Sequence, residues 1–480
     1  MLMLAGLFLM TSCEKQLELD LNKSITANAG PDQAVQVGQV VTLDGSGSSD
    51  SQGKPLTYGW SLVRQPATSA AKITDASTAN PTFKPDETGE YELELTVTSS
   101  NGKATDKVLI KASMSEPLVI SENITEKTTL VDRLANPDLP DYIVTKSIDV
   151  NSELTIKPGV VIAFERDVYM NIQDSGYLIA KGQSDKKIKF VGVQKTKGYW
   201  AGIALYSGSN LNIMEHVEIM HTGSRPVHSD IKAALLVYGG SESQITIKNS
   251  QFSQNDGYGM YVYEGAILLE FSQNSFTNNT EAGIMVDAMN VSRLDAASKF
   301  TGGNGRNVVE ILESSLEGNK EIEWKAFADK TPYRLNGELT VNSGWKLNPG
   351  VTLEMNRDAL IEISNDGYMS AQGTATEKVV FTSANRTAAY WRGIACYSQV
   401  NKNILQHAEV KNAGSKTLVS DKKSNIAIYG DGTSMTIKNT LISGSGGYGV
   451  FVGLGASANT DLSSANTFEA NAQTNVLIEE

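Results

Sequence analysis

The chain has 480 residues, with 41 Lys plus Arg against 54 Asp plus Glu and a formal charge of −13. That length asks for two or three domains, and the acidic balance excludes a protein that wraps phosphate backbones, so no nucleic-acid partner is expected. Two cysteines, Cys13 and Cys396, exclude a disulfide framework, while 42 glycines against 12 prolines fit many short strands joined by glycine turns.

Residues 1–10 read MLMLAGLFLM, an apolar run too short to span a bilayer and the right size for a signal-peptide core. Thr11-Ser12-Cys13 follows it. The segment resembles a bacterial lipoprotein signal with its lipobox, although it lacks a Lys or Arg before the apolar run. The resemblance implies a signal over 1–13, lipidation at Cys13, and residence at the outer membrane or cell surface. A secretory signal with an incidental cysteine is the alternative. No other segment approaches 18 apolar residues, so a lipid is the one membrane attachment expected. Residues 14–24 are polar and read as a tether.

From 25 to 114 the pattern is that of a compact β domain. Val35-Gln36-Val37 and Val40-Val41-Thr42-Leu43 precede the turn cluster at 44–50, and residues 91–97, YELELTV, alternate with period two. About seven short strands over some ninety residues predict a β-sandwich. Ala29-Gly30-Pro31, Leu43-Asp44-Gly45-Ser46, Leu56-Thr57-Tyr58-Gly59-Trp60, Pro81-Thr82-Phe83 and Gly89-Glu90-Tyr91 resemble a PKD domain, an immunoglobulin-like module of cell-surface proteins. Trp60-Ser61-Leu62 replaces the family's Trp-Asp-Phe-Gly-Asp-Gly stretch. Trp60 is expected in the core rather than on a ligand.

Repeats govern the remainder, 115–480. Phe252, Phe276 and Phe300 stand 24 residues apart, each followed by an asparagine: Asn255, Asn279 and Asn304. Gly259, Gly283 and Asn307 keep the same step. Such a period with β-type alternation predicts stacked coils, aromatics inside and asparagines at left-handed turns. The pattern resembles the right-handed parallel β-helix. A longer repeat lies on top of it. Pro158-Gly159-Val160 recurs 191 residues on at Pro349-Gly350-Val351, and 154–203 against 345–394 gives 17 identities in 50 without a gap. Thr246-Ile247-Lys248-Asn249 meets Thr436-Ile437-Lys438-Asn439 after one deleted residue, and the first copy gains about one coil near 275–303. The fold class predicted is therefore all-β: an immunoglobulin-like sandwich, then a long parallel β-helix of about fourteen coils with a tandem duplication. The copies span about 117–316 and 317–480.

Residues shared by both copies are first suspected of scaffold work. Trp200 and Trp391, each beside a tyrosine (Tyr199, Tyr390), can stack on sugar faces or cover the core, the latter being the commoner use. Arg166 and Arg357 can bind acidic sugars or form surface ion pairs. His216 with Glu218, and His407 with Glu409, read as two apart on a strand and hence on one face, but two ligands fall short of a zinc site. Cys396 aligns with Leu205 and reads as a buried small hydrophobe. Asp256 falls at a turn, yet Thr280 and Asn304 follow it and no carboxylate ladder forms. Asn459-Thr460-Asp461 mimics the start of a polygalacturonase signature whose other parts are missing. No catalytic residue, cofactor or metal is therefore assigned. Loops that leave the coils, 224–230 with Arg225 and His228, and 415–423, are the first places to look for function.

Three functions fit this outline. A lipid-anchored surface protein that binds polysaccharide or a partner protein is preferred. A polysaccharide lyase or glycoside hydrolase with a dispersed site is the alternative, and a purely structural envelope element is the third.

Overall fold

The structure, a computed structural model, describes residues 23–480 apart from 115, 135 and 365. The chain divides into two compact units, the first ending at Pro117 but including Arg133–Leu139, the second holding Leu118–Asp132 and Pro140–Glu480.

The first unit is a β-sandwich. Gln33–Gln36, Gly102–Ser113, Gly89–Ser99 and Thr57–Arg64 form one sheet in that order, and Val41–Thr42, Thr82–Phe83 and Ile73–Thr74 form the other. The alternation of 91–97 is met residue for residue: Tyr91, Leu93, Leu95 and Val97 are wholly buried and the residues between them half-buried. Trp60 is buried with them, its Nε1 donating to the Thr78 carbonyl at 3.2 Å.

In the second unit every named strand from Leu118 onward pairs only in parallel, with the strand one coil before it, the strand one coil after it, or both. The coil has three sides. One side is a continuous sheet of thirteen strands, from Ile148–Val150 to Thr467–Glu469; the others are sheets of eight and six strands in the first copy and seven and six in the second. At ~4.8 Å between strands the long sheet runs for about 58 Å. One hydrophobic core extends along the axis from Leu130 to Leu462.

The period-24 residues build two internal spines. Phe252, Phe276 and Phe300 stack with ring centroids 5.0 and 5.2 Å apart and nearly parallel planes. Beside them Asn255 Nδ2 donates to Asn279 Oδ1, and Asn279 Nδ2 to Asn304 Oδ1, both at 2.9 Å. The asparagines do not themselves take the left-handed turns. Gln254, Asn278 and Gly303, one residue earlier, have φ of 56°, 55° and 77°. That turn frees each asparagine side chain to point inward and satisfy the corner's backbone, since Asn304 Nδ2 also donates to the Phe300 carbonyl at 2.8 Å.

The duplicated copies do not align along the sides of the rod. Val161–Phe164 belongs to the eight-stranded sheet, whereas its duplicate Thr352–Met355 belongs to the long sheet. Tyr169–Ile172 lies in the long sheet, and its duplicate Leu360–Ile363 in the seven-stranded one. The cause is the strand Arg306–Ile311. It pairs back with Ala282–Val286 as the last strand of copy one, and forward with Tyr333–Leu335 at the position that Leu118–Ile120 holds in the first copy. Sharing that strand advances the second copy by one side of a three-sided coil. The extra coil of copy one is Ser275–Thr277, Ala282–Val286 and the short helix Ala288–Val291, whose cap Asp287 accepts from the Asn290 N–H at 2.8 Å.

Candidate functional site

The residues expected to bind from the sequence fall mostly into scaffold. Trp200 and Trp391 are wholly buried, their Nε1 groups donating to the Met220 and Lys411 carbonyls at 2.7 and 2.8 Å, and the Trp200 ring stacks on Phe164 at 4.0 Å. Neither presents a face to solvent. Arg166 covers the Tyr199 ring and Arg357 the Tyr390 ring, each at 4.8 Å, so the pairs are repeated in both copies as a corner cover. Arg225 lies over Tyr169 at 4.8 Å and donates from Nε to the Asp167 carbonyl at 2.8 Å. His216 and His407 are not on strands; each is a left-handed corner residue with φ near 50°, because the chain turns between two sides of the coil there. Their acidic neighbours Glu218 and Glu409 pair with Lys187 and Lys378. Cys396 is buried between Ile363 and Ile428, and burial pushes its thiol up to about 11. Cys13 lies outside the described residues. No helix among the described residues is long and apolar enough to cross a membrane.

The exposed chemistry lies on the outer face of the long sheet, in the coils carrying Gly202–Leu205 to Arg306–Ile311. Three of these strands end in a buried apolar residue followed by an outward tyrosine: Leu205-Tyr206, Val237-Tyr238 and Val262-Tyr263. Stacking the coils lines the rings up, with Tyr206 to Tyr238 at 5.3 Å and Tyr238 to Tyr263 at 5.6 Å between centroids. The loop after Thr222 closes on itself through a bridge between His228 and Ile231 and folds back on this face. It brings the His228 ring to 4.7 Å from Tyr238. All four side chains are half-buried, held by packing yet open to solvent.

At the other edge of the same face lies an open cleft of about 290 Å³, lined by Asp230, Lys232, Asp256, Tyr258, Thr280 and Glu281 among others. Lys232 Nζ meets Asp256 Oδ2 at 2.8 Å, and Thr280 Oγ1 donates to Asp256 Oδ1 at 2.9 Å. Burial pushes the Asp256 carboxyl up, but Lys232 and Thr280 outweigh it and hold the group below the ordinary carboxylate range. Tyr258 donates to Glu310 Oε2 at 2.8 Å, and its hydroxyl is pushed far up, first by burial and then by the Glu310 charge. Arg306 is shared between Glu281 and Glu310, and the Glu310 contacts overcome burial to keep it cationic. Tyr258 to Tyr261 and Tyr261 to Tyr263, both 5.5 Å, join cleft to ladder in one aromatic path. Among the described residues no group of three or more His, Cys, Asp or Glu side chains is placed to hold a metal ion.

Copy two lacks most of this. Tyr206 and Tyr238 have counterparts in Tyr397 and Tyr429, but Gly453 replaces Tyr263, Val419 replaces His228 and Gly446 replaces Asp256. A side chain at Gly453 would begin 2.4 Å from the Tyr429 ring, and one at Gly446 2.4 Å from the Gly414 carbonyl. The second copy closes over the space with Leu418, Val419 and Phe451 as an apolar plug. Asp256 was legible as a turn carboxylate; the ladder was not, and its only sequence signal is the repeated apolar–Tyr step at strand ends.

Comparison with known proteins divides the chain in the same way. Residues 29–111 match a family described as a PKD domain. Residues 153–293 match the right-handed beta helix region, and 319–423 the pectate-lyase like beta helix domain. The chain is a PKD-like domain followed by a parallel β-helix. Among the solved structures that match it, two share short stretches with it. One is a nucleoside hydrolase-related hypothetical protein from Saccharophagus degradans associated with carbohydrate metabolism, 24% identical over 19% of this chain, with a TM-score of 0.17; the match spans 26% of that protein. The other is the PKD domain from KIAA 1837 protein, 28% identical over 19% of this chain and 89% of that one, also with a TM-score of 0.17. No curated protein matches the chain.

Proposed function

We propose that the protein is a lipid-anchored envelope protein whose β-helix grips an extended polysaccharide on the outer face of the long sheet. The anchor rests on the residues at 1–13, and the outer-membrane or cell-surface address follows from it. The grip rests on one observation, the half-exposed rings of Tyr206, Tyr238, Tyr263 and Tyr258, joined through the buried Tyr261 into a path that copy two, with Gly453 in place of Tyr263 and Phe451 in place of Tyr261, interrupts. Tyrosines give a chain of sugars apolar faces to lie on at small entropic cost, and the rigid rod presents them in register.

A second reading, cleavage of the polysaccharide, has the support of the family comparison, since 319–423 matches pectate-lyase-like β-helices. The cleft in copy one is where it would occur, with Asp256, Glu281 and Lys232 beside Tyr258. Against it stands the charge state of those groups. Lys232 and Arg306 are tied to carboxylates and Asp256 is held below the ordinary carboxylate range, while the raised carboxyl, Asp287 at about 6, lies in the neighbouring hollow and not in the cleft. Native electrophoresis of the full-length protein in mild detergent, through gels containing single polysaccharides, separates the readings. Retardation in a gel supports binding, a cleared track in that gel converts the reading to an enzyme, and free migration in every gel rejects both. Loss of metabolic fatty-acid label in Cys13→Ser tests the anchor.

A further inference from the structure

The same face constrains which polysaccharide it takes, and the inference rests on the glycan-binding reading above. Between Tyr206 and the strand Arg306–Ile311, the groove and its cleft carry Asp230, Asp256, Glu264, Glu281, Asp287 and Glu310 as acids. The cations among them are Lys232, bound to Asp256, Arg306, bound to both Glu281 and Glu310, and Lys197, exposed beside Asp256 and helping to hold it ionised. Asp230 and Glu264 are exposed and have no ion-pair partner among the described residues. Glu264 directly follows the last ladder tyrosine, and Asp287 takes the ladder's next position one coil on, beside Glu264 in a second hollow of about 220 Å³.

A chain of uronic acids laid on Tyr206, Tyr238 and Tyr263 would set its carboxylates against an excess of acids, six against the cations Lys232, Arg306 and the exposed Lys197 beside Asp256. Hydroxyls or ammonium groups in the same place would donate to these acids. We infer that the groove selects a glycan without acidic groups, neutral or amino-substituted, and excludes polyuronates, with Asp230 and Glu264 as the specificity-determining residues. Copy two keeps an acid, Asp421, where copy one has Asp230, but Leu454 stands where copy one has Glu264, with Gly453 rather than a tyrosine before it.

The test uses the full-length protein in gels containing neutral β-glucan, galactomannan, chitosan, polygalacturonate or alginate. Retardation by a neutral or amino-substituted chain, reduced at least tenfold in Tyr238→Ala, with free migration in both polyuronates, is the expected result. The neutral and chitosan gels tell the two permitted chemistries apart. An Asp230→Asn, Glu264→Gln double variant should gain retardation in polygalacturonate relative to its own retardation in the neutral or chitosan gel. Wild-type retardation in a polyuronate gel that Tyr238→Ala abolishes would overturn the inference while leaving glycan binding intact. So would a double variant that behaves as wild type in every gel. Free migration in all five gels would instead overturn the glycan-binding reading, and this inference with it.

Discussion

His221 and Asn412 occupy equivalent corners of the two copies, with φ of 69° and 70°. The histidine is 4% exposed, and burial, aided by the Lys195 charge, lowers it to about 4. Its folded pKa lies below the unfolded value, so the unfolded chain takes the proton first as the pH falls. Stability present above about pH 6.5 is lost toward pH 4, by about 3 kcal/mol. His221→Asn, which adopts the residue of the other copy, should remove that loss; denaturant unfolding of both proteins at pH 7 and pH 4 measures it. The tyrosines allow a similar internal control. Tyr263→Ala should weaken glycan binding about five- to tenfold, on the scale of ~1 kcal/mol for an aromatic contact. Tyr429→Ala, in the copy with the apolar plug, should leave it unchanged in the same titration.

Elements explain what could be read in advance. Phe252, Phe276 and Phe300 sit in consecutive coils of equal length, so their stack was legible as a period of 24. Tyr206, Tyr238 and Tyr263 are 32 and 25 residues apart, because the loop carrying His228 lengthens one coil, and an interrupted period leaves no trace. The inner or outer fate of a tryptophan two residues before a strand is decided by which carbonyl its indole N–H can reach, a contact from 20 residues away. The same logic gives two tests. Asn279→Ala removes bonds to Asn304, Asn255 and the Phe252 carbonyl inside the spine, and should cost about 2–4 kcal/mol in chemical unfolding. Deleting 275–298 takes out one whole turn, since Ser275 pairs with Lys299. The shortened protein should keep its β-sheet circular dichroism and a cooperative melt, yet lose at least tenfold in glycan affinity, because Thr280 and Glu281 leave the cleft.

For the whole molecule, duplication suggests two binding sites, whereas the proposed glycan face is complete in copy one alone. Gly453, Val419 and Gly446 remove three contributors at once from the second copy. Calorimetry with a short oligosaccharide should therefore give one site per chain; two sites of equal strength would refute the assignment of the face.

The shared strand Arg306–Ile311 has a consequence for how such a protein can evolve. Each copy joined in this way turns the next like a step of a spiral staircase, and a given view returns only with the fourth. Twin patches born in a duplication would thus look toward different horizons from the moment of birth. Selection on a flat target can hold one of them at a time and leaves the copies free to diverge, as they do where Gly453 and Gly446 stand opposite Tyr263 and Asp256.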